Sequence, residues 1–294
     1  MEIIDAHHHI WQMKNLPWLV GEPVPRIFGP YHSIRRDYPI EEYLADIRDC
    51  GVGQTVYVQV NWIPHQEVDE TRWVQSVANK FGCPNAIVGF ADLTEPNIAA
   101  TLAAHRVSPL FRGVRQQLHW HANPQYRFAS RPDLMNDGHW RRGFALLQKL
   151  GLVFELQVFT SQMADGARLA ADFPETTIIL EHAGMLEDRS PDGWNRWRAG
   201  MRLLANNPNV CTKISGLGTF LHRFDRDAIR PVVLETIEIF GADRCLFGSN
   251  FPIEKIWTDY QTLFHGTASI LDELNANEKA AVLGGTAKRI YRPA

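Results

Sequence analysis

The sequence predicts an α/β fold of about eight parallel strands, each followed by a helix, closed into a (β/α)8 TIM barrel. Strand-like segments alternate with helical ones along the whole chain, and the strand segments are almost continuously apolar, as in parallel sheets covered on both faces. The 294 residues also suit one barrel of about 250 residues with insertions. An open doubly wound sheet is the alternative, but no G-x-G-x-x-G phosphate turn follows an early strand. We therefore expect a single domain over residues 1–294.

The first strand begins at Ile3 and runs through three consecutive histidines, His7 to His9. A loop insertion at residues 12–38 follows, because this stretch is rich in proline, glycine and aromatic residues and shows no periodicity. The next predicted elements are a helix at 39–48, a strand at 55–60, a helix at 65–81, a strand at 86–93, a helix at 98–105 and a strand at 111–118.

A second loop insertion is expected at residues 119–138. The elements predicted after it are a helix at 139–150, strands at 152–158, 177–182, 210–215 and 245–249 with helices starting near 162, 193 and 227 between them, and final helices at 260–274 and 277–290. This strict order of strand then helix is what favours the closed barrel.

Composition limits the function classes. The net charge of −3 gives no basic surface for nucleic acid or an anionic membrane, and no apolar run reaches the ~20 residues of a membrane span. The acidic start Met1-Glu2 is unlike a signal peptide, and the four cysteines are too far apart for a disulfide framework or a zinc ribbon. We expect a cytoplasmic protein with reduced thiols. Its expected partner is a small-molecule substrate, with neither nucleic acid nor membrane, and a homo-oligomer is possible.

The histidine segment carries the first functional signal. In a strand, Asp5, His7 and His9 share one face, and Ala6, His8 and Ile10 share the other. Two imidazoles on one face can bind one metal ion or move protons at one substrate. A solvated strand end is the alternative interpretation; a purification tag is excluded by the apolar flanks.

Polar residues stand at the carboxyl ends of the other predicted strands, where barrel enzymes place their active sites. They are Gln59, Asn61 and Trp62 on the second strand, Arg115, Gln117 and His119 on the fourth, Glu155 and Gln157 on the fifth, Glu181 and His182 on the sixth, Lys213 and Ser215 on the seventh, and Ser249 and Asn250 on the eighth. Arg115 suits a substrate carboxylate, although a structural salt bridge is the alternative. His182 is the expected third site histidine, although a lone histidine is more often satisfied by a backbone partner.

A second His-x-His pair, His119-Trp120-His121, lies where strand meets loop, and His119 is the better candidate for substrate binding. Trp62 is a candidate for the pocket wall, together with Trp11 and Trp120, although aromatic residues in a large protein more often pack in the core.

Three motifs in this order and spacing, Asp5-Ala6-His7-His8-His9, Glu181-His182-Ala183-Gly184 and Phe247-Gly248-Ser249-Asn250-Phe251-Pro252, resemble the amidohydrolase superfamily. The chain is most similar to the amidohydrolase-related branch that includes 2-pyrone-4,6-dicarboxylate lactonase and the L-fuconolactone and L-rhamnonolactone hydrolases. The resemblance covers almost the whole chain. It implies a (β/α)8 barrel that hydrolyses the C–O ester bond of a lactone.

The sequence departs from the metal-binding members of that superfamily. Gln157 and Asn250 stand where those members have a histidine and an aspartate, and Arg115 stands where a bridging lysine or a glutamate is common. An amide is a poor zinc ligand and cannot act as a general base, and a cation at position 115 argues against two metal ions. Two outcomes stay open: no cofactor is required, or one weakly held divalent metal, zinc, sits on His7, His9 and His182.

The resulting hypothesis is a hydrolase that opens the lactone of a sugar acid or of an aromatic-degradation intermediate, a substrate that bears carboxylate or hydroxyl groups. Water attacks the ring carbonyl. Protonated His7 or His9, or zinc in their place, stabilises the oxyanion, and His182 orients or deprotonates the water. Asn250 positions that water, and Glu254 is the reserve base. The expected substrate-binding residues are Arg115, Gln59, Gln157, His119 and Trp62.

Two other functions are open at this stage. One is a metal-dependent decarboxylase or amide hydrolase of the same superfamily, which the absence of an acidic ligand weakens. The other is a non-catalytic barrel that binds a ligand, in which Asn250 marks the loss of a catalytic carboxylate.

Overall fold

The computed structural model describes residues 2–294, and its eight strands form one parallel sheet in chain order. The strands are β1 (Ile3–His8), β2 (Val52–Val58), β3 (Ala86–Gly89), β4 (Phe111–Arg115), β5 (Val153–Leu156), β6 (Ile178–Leu180), β7 (Val210–Ile214) and β8 (Cys245–Phe247). The segments after β8 and β1 pair with each other, since the amide of Asn250 donates to His7 O at 2.7 Å and the amide of His9 donates to Phe251 O at 2.8 Å. The sheet therefore closes, and the predicted (β/α)8 barrel is confirmed.

The helices surround the barrel at nearly the predicted places. They are α1 (Pro17–Val20), α2 (Ile40–Asp46), α3 (Glu67–Phe81), α4 (Ile98–His105), α5 (Gly138–Leu150), α6 (Met163–Asp172), α7 (Pro191–Ala205), α8 (Arg226–Phe240), α9 (Tyr260–Leu271), α10 (Ala276–Ala280) and α11 (Thr286–Tyr291). A π-helical turn, Ala281–Gly285, joins the last two. Within residues 2–294, none of these helices combines the length and the apolar character that crossing a bilayer requires.

The stretch predicted as an irregular loop at residues 12–38 has more structure than expected. Besides α1 it contains the 3₁₀ turns Met13–Asn15 and His32–Ile34, and its two ends pair where Trp11 and Tyr38 exchange backbone hydrogen bonds of 2.9 and 3.0 Å. Inside it, the Trp18 ring lies 5.9 Å from that of Tyr31. An aromatic cluster thus replaces a regular element as the support of this segment.

Two apolar clusters hold the barrel together. The larger cluster lies between the strands and the helices, and a smaller one fills the barrel interior with residues such as Ile4, Val56 and Val88. Tyr291 of the last helix belongs to this inner cluster, and its hydroxyl donates to Glu155. The polar residues at the carboxyl ends of the strands therefore lie above this inner apolar cluster.

Candidate active site

The histidine strand contains a register shift that the alternation rule did not predict. Pairing with β2 is irregular between Asp5 and His8, which is the signature of a β-bulge. Asp5 consequently faces the outer helices, where it accepts hydrogen bonds from the hydroxyls of Tyr43 (2.8 Å) and Tyr260 (3.0 Å). The expectation that Asp5 shares a face with His7 and His9 is corrected by this bulge. The two imidazoles do face the same way, with ring centroids 5.0 Å apart.

Asp5 and His8 fix the strand that presents these imidazoles. The carboxylate of Asp5 also accepts the backbone amides of Ser249 at 2.8 Å and His7 at 3.1 Å, which ties β1 to the segment after β8. Burial raises the pKa of Asp5, although these hydrogen bonds act in the opposite direction. His8 stacks on Tyr43 with centroids 3.9 Å apart, so it packs on the outer side of the strand.

His182 completes a set of three adjacent imidazoles. Its ring centroid lies 4.9 Å from that of His7, and its backbone takes the left-handed conformation with φ 56°. Gly216 packs against this ring so closely that a Cβ there would lie 2.6 Å from Nδ1 of His182. Glycine at this turn, which itself has φ +61°, is what leaves room for the histidine.

Burial favours the neutral form of all three imidazoles. Burial lowers the pKa of His7 and His9 well below the usual value, and it lowers the pKa of His182 to about 3. The nearby cations Lys213 and Arg115 act in the same direction. The Nδ1–H of His9 donates to Val58 O at 2.6 Å, which leaves its Nε2 as an acceptor. Nδ1 of His182 lies 2.9 Å from the hydroxyl of Ser215.

A buried ion network lies directly beside the imidazoles. The ammonium of Lys213 is 2.6 Å from Glu155 and 3.3 Å from Nδ1 of His7. Glu181 lies 3.4 Å from the same Nδ1 and 3.3 Å from Nη1 of Arg115. Burial raises the pKa of Glu155 to about 7 and lowers that of Lys213, while the contact between them opposes both shifts. Two carboxylates and two cations thus balance one another inside the barrel.

Arg115 was expected to bind a substrate carboxylate, but its two terminal nitrogens already contact protein groups. Its Nη1 faces Glu181, and its Nη2 donates to the carbonyl of Gln59. The Nε–H is buried and has no partner, although the side chain lines the cavity. Arg115 therefore keeps an unsatisfied Nε–H in a side chain that lines the cavity.

A cavity of about 820 Å³, its open mouth included, lies at the carboxyl ends of the strands. Six of the nine residues that were given a catalytic or binding role from the sequence line it, namely His9, His182, Asn250, Arg115, Gln157 and His119, and so do Trp11, Asn61 and Gln117. The two loop insertions add aromatic walls that include Trp18, Phe28 and Tyr126.

Three predicted residues lie outside the lining. His7 is fully buried behind His9 and His182. The side chain of Gln59 turns back to accept the amide of Asn61 at 2.6 Å. Trp62 packs against Trp73 of α3 with centroids 5.5 Å apart, so the structure does not bring it into the cavity wall.

Asn250 and Glu254 form a pair at the edge of the cavity. Asn250 lines the cavity in the left-handed conformation, φ 58°, and its amide contacts Glu254 behind it. Burial raises the pKa of Glu254 to about 7, and one of its oxygens has no partner while the other accepts Nε1–H of Trp257 at 2.9 Å. The carboxyl group of Glu254 thus lies behind the cavity wall and does not line the cavity.

Two sets of side chains offer donors for a cation. The ligand atoms of His7, Glu155 and Glu181 all lie within 4.8 Å of one another. This set already contacts the positive charges of Lys213 and Arg115, which oppose a further cation. The second set is the three imidazoles; their ligand atoms are not all within 4.8 Å of one another, and Nε2 of His7 is buried and has no partner.

Glu155, Glu181 and Lys213 form the buried network, and the sequence predicted their positions at strand ends but no role for them. The available signal was their position, since each continues the inward-facing alternation of its strand. Arg26 and Arg127, which line the outer cavity from the two loops, carried no such signal.

Comparison with known proteins agrees with this geometry. The sequence profile described as Amidohydrolase matches residues 4–292. A protein of Sinorhizobium fredii, named only as uncharacterized protein y4mH, is 37% identical over 99% of this chain and 98% of its own length. L-fucono-1,5-lactonase of Burkholderia multivorans is 30% identical over 98% of this chain and 95% of its own.

Among solved structures, an amidohydrolase from Burkholderia multivorans with bound zinc superimposes with a TM-score of 0.84 at 27% identity, with both chains covered completely. The predicted resemblance to the amidohydrolase superfamily is confirmed over almost the whole chain. The chain belongs to the amidohydrolase family and is a hydrolase.

Proposed function

We propose that the protein hydrolyses the lactone of a sugar acid. The observation that carries this proposal is the meeting of His9, His182 and Arg115 in one cavity wall, with neutral imidazoles beside an arginine that keeps one buried donor free. Ring opening needs an acceptor for the proton of water and a positive group for the carbonyl oxygen, and this wall supplies both. The 30% identity to an L-fucono-1,5-lactonase supports the same substrate class.

Arg115 stabilises the oxyanion in this proposal. The sequence suggested protonated His7 or His9 for that role, but both rings are buried beside cations that keep them neutral. The guanidinium of Arg115 has an unpaired Nε–H that can donate to the carbonyl oxygen. Glu181 holds the guanidinium in place from behind.

His182 takes the proton of the attacking water. With Nδ1–H donating to Ser215, its Nε2 is the acceptor, and Nε2 of His9 is a second acceptor that helps to orient the water. The water oxygen attacks the carbonyl carbon while its proton moves to Nε2 of His182. The same proton then passes to the ring oxygen as the C–O bond breaks, so the product is the open hydroxy acid. Asn250 positions the water through its amide, which Glu254 orients.

The three imidazoles are the nitrogen donors that a divalent metal such as zinc would use, although their ligand atoms do not all lie within 4.8 Å of one another in this structure. Nε2 of His7 carries no hydrogen bond, and in the tautomer that donates Nδ1–H to Glu181 this Nε2 is free for coordination. His182 is the third nitrogen donor. Such an ion, held by His7, His9 and His182, would supply Lewis-acid polarisation of the carbonyl.

The test is His182→Asn in a pH-indicator assay with a panel of aldonolactones. We expect kcat to fall by about 10²–10⁴, the usual contribution of a general base, while circular dichroism stays unchanged. His265→Asn is the matched control, because this exposed histidine lies on α9 away from the cavity. Unchanged turnover in His182→Asn would refute the role of His182, and a wild-type protein that opens no lactone would refute the function.

A further inference from the structure

The cavity lining has a one-sided charge. Within residues 2–294 it contains three arginines, Arg26, Arg115 and Arg127, and neither aspartate nor glutamate. Glu181 balances Arg115 from behind the wall, whereas neither Arg26 nor Arg127 forms an ion pair in the described part of the chain. The part of the cavity formed by the two loops therefore keeps a positive potential, which favours an anionic group on the ligand.

Arg26 is held at this position by the loop around it. Its Nε–H is buried without a partner, and its guanidinium carbon lies 5.8 Å from the centroid of the Trp18 ring. Gln125 of the second loop donates to the carbonyl of Arg26 at 3.3 Å, so the two loops meet at this residue. The charge of Arg26 is near enough to the buried ring of His119 to contribute to the lowering of its pKa. Arg26 thus brings a guanidinium with an unpaired donor to the cavity lining.

Arg127 is preorganised from the second loop. Its Nε donates to His121 O at 3.1 Å, its Nη2 donates to Ala122 O at 3.2 Å, and the guanidinium covers Trp120 at 4.8 Å from the ring centroid. These contacts use only two of its nitrogens and involve no carboxylate. A guanidinium fixed in this way loses little conformational entropy when it binds a further acceptor.

We propose that Arg26 and Arg127 form a binding site for a carboxylate of the substrate, so that the preferred lactone is that of a sugar dicarboxylic acid. This inference rests on the proposed lactonase function for the ring-opening step. The lactone carbonyl lies at the inner end, beside His182 and Arg115, and the second carboxylate points outward to the loops. Aromatic side chains such as Tyr126 pack along the ring between the two ends.

Matched lactone pairs test the proposal. D-glucaro-1,4-lactone and D-glucono-1,4-lactone differ only in a carboxylate in place of a hydroxymethyl group, and galactose-configured pairs extend the panel. We expect wild-type protein to have the higher kcat/KM for the carboxylate member. Arg26→Gln should lower the ratio of the two kcat/KM values about tenfold, mainly through KM, because one charged hydrogen bond is lost. Arg106→Gln, an exposed arginine at the end of α4, should leave the ratio unchanged.

A wild-type preference for the neutral lactones, or an equal loss on both members of a pair in Arg26→Gln, overturns the carboxylate site. Binding gives a readout that does not depend on turnover. Galactarate should raise the Tm of wild-type protein more than galactonate does, and the double variant Arg26→Gln with Arg127→Gln should abolish this excess. If the wild type opens no lactone but galactarate keeps its excess, the lactonase function fails and the carboxylate site stands. If galactarate shows no excess, the carboxylate site fails.

Discussion

Replacing Lys213 by methionine removes one charge from a fully buried network. The ammonium is inaccessible to solvent and lies 2.6 Å from Glu155, which is equally buried. Methionine has a similar length, so the change leaves little cavity, but it leaves Glu155 and Glu181 with Arg115 as their only cation. Removal of one partner from a buried ion pair typically destabilises a protein by about 3–5 kcal/mol. For a chain of this size, we expect Tm to fall by roughly 5–8 °C.

Urea unfolding of Lys213→Met at pH 8 measures this cost. The double variant Lys213→Met with Glu155→Gln removes both charges, and we expect it to recover most of the lost stability because no unpaired carboxylate remains there. Lys279→Met is the matched control, since Lys279 pairs with the exposed Asp272, and it should cost less than about 1 kcal/mol. A loss below about 1 kcal/mol in Lys213→Met would show that the pair is not a buried ion pair.

Two further predictions concern Glu254 and the imidazoles. The pKa of Glu254 is about 7 in the fold against a usual 4.5, so the folded state holds the proton more tightly and stability falls as pH rises through this window. Between pH 5.5 and 8 the loss from this group should be about 2 kcal/mol, and urea midpoints of Glu254→Gln should lack that part of the decline; identical profiles would contradict it. For the metal site, protein cleared with a chelator and titrated with cobalt(II) should develop visible absorption at one equivalent. His9→Asn should weaken this binding by more than about tenfold, and equal binding would exclude His9 as a ligand.

The sequence was sufficient to predict the barrel because its signal is local and repeated. Each strand is a short apolar run and each helix carries a 3.6-residue pattern, so errors at element ends do not change the topology. His182 could be predicted for the same reason, since it directly follows the apolar run of β6. The bulge in β1 could not, because a register shift depends on the partner strand, and it moved Asp5 to the outer face.

The charge network was beyond prediction for a different reason. Arg115 and Glu155 are paired in register on neighbouring strands, yet Glu155 bonds Lys213, two strands away on β7, and Arg115 bonds Glu181, which directly follows β6. Which carboxylate meets which cation depends on side-chain length and on the curvature of the closed barrel. The sequence shows that these charged residues lie at strand ends, but it does not show which carboxylate pairs with which cation.

The positions of the arginines in the two loop insertions could not be predicted either, for a different reason. The composition of these loops marked them as insertions, but an irregular segment has no periodicity that would orient Arg26 or Arg127. In the structure, the inner charges are balanced within the barrel and the loop charges are not. The balanced set can hold its geometry without a ligand, whereas the unbalanced set gains a partner only when an anion binds. We therefore expect substitutions in the barrel network to change stability and turnover together, and substitutions at the loop arginines to change the choice of substrate.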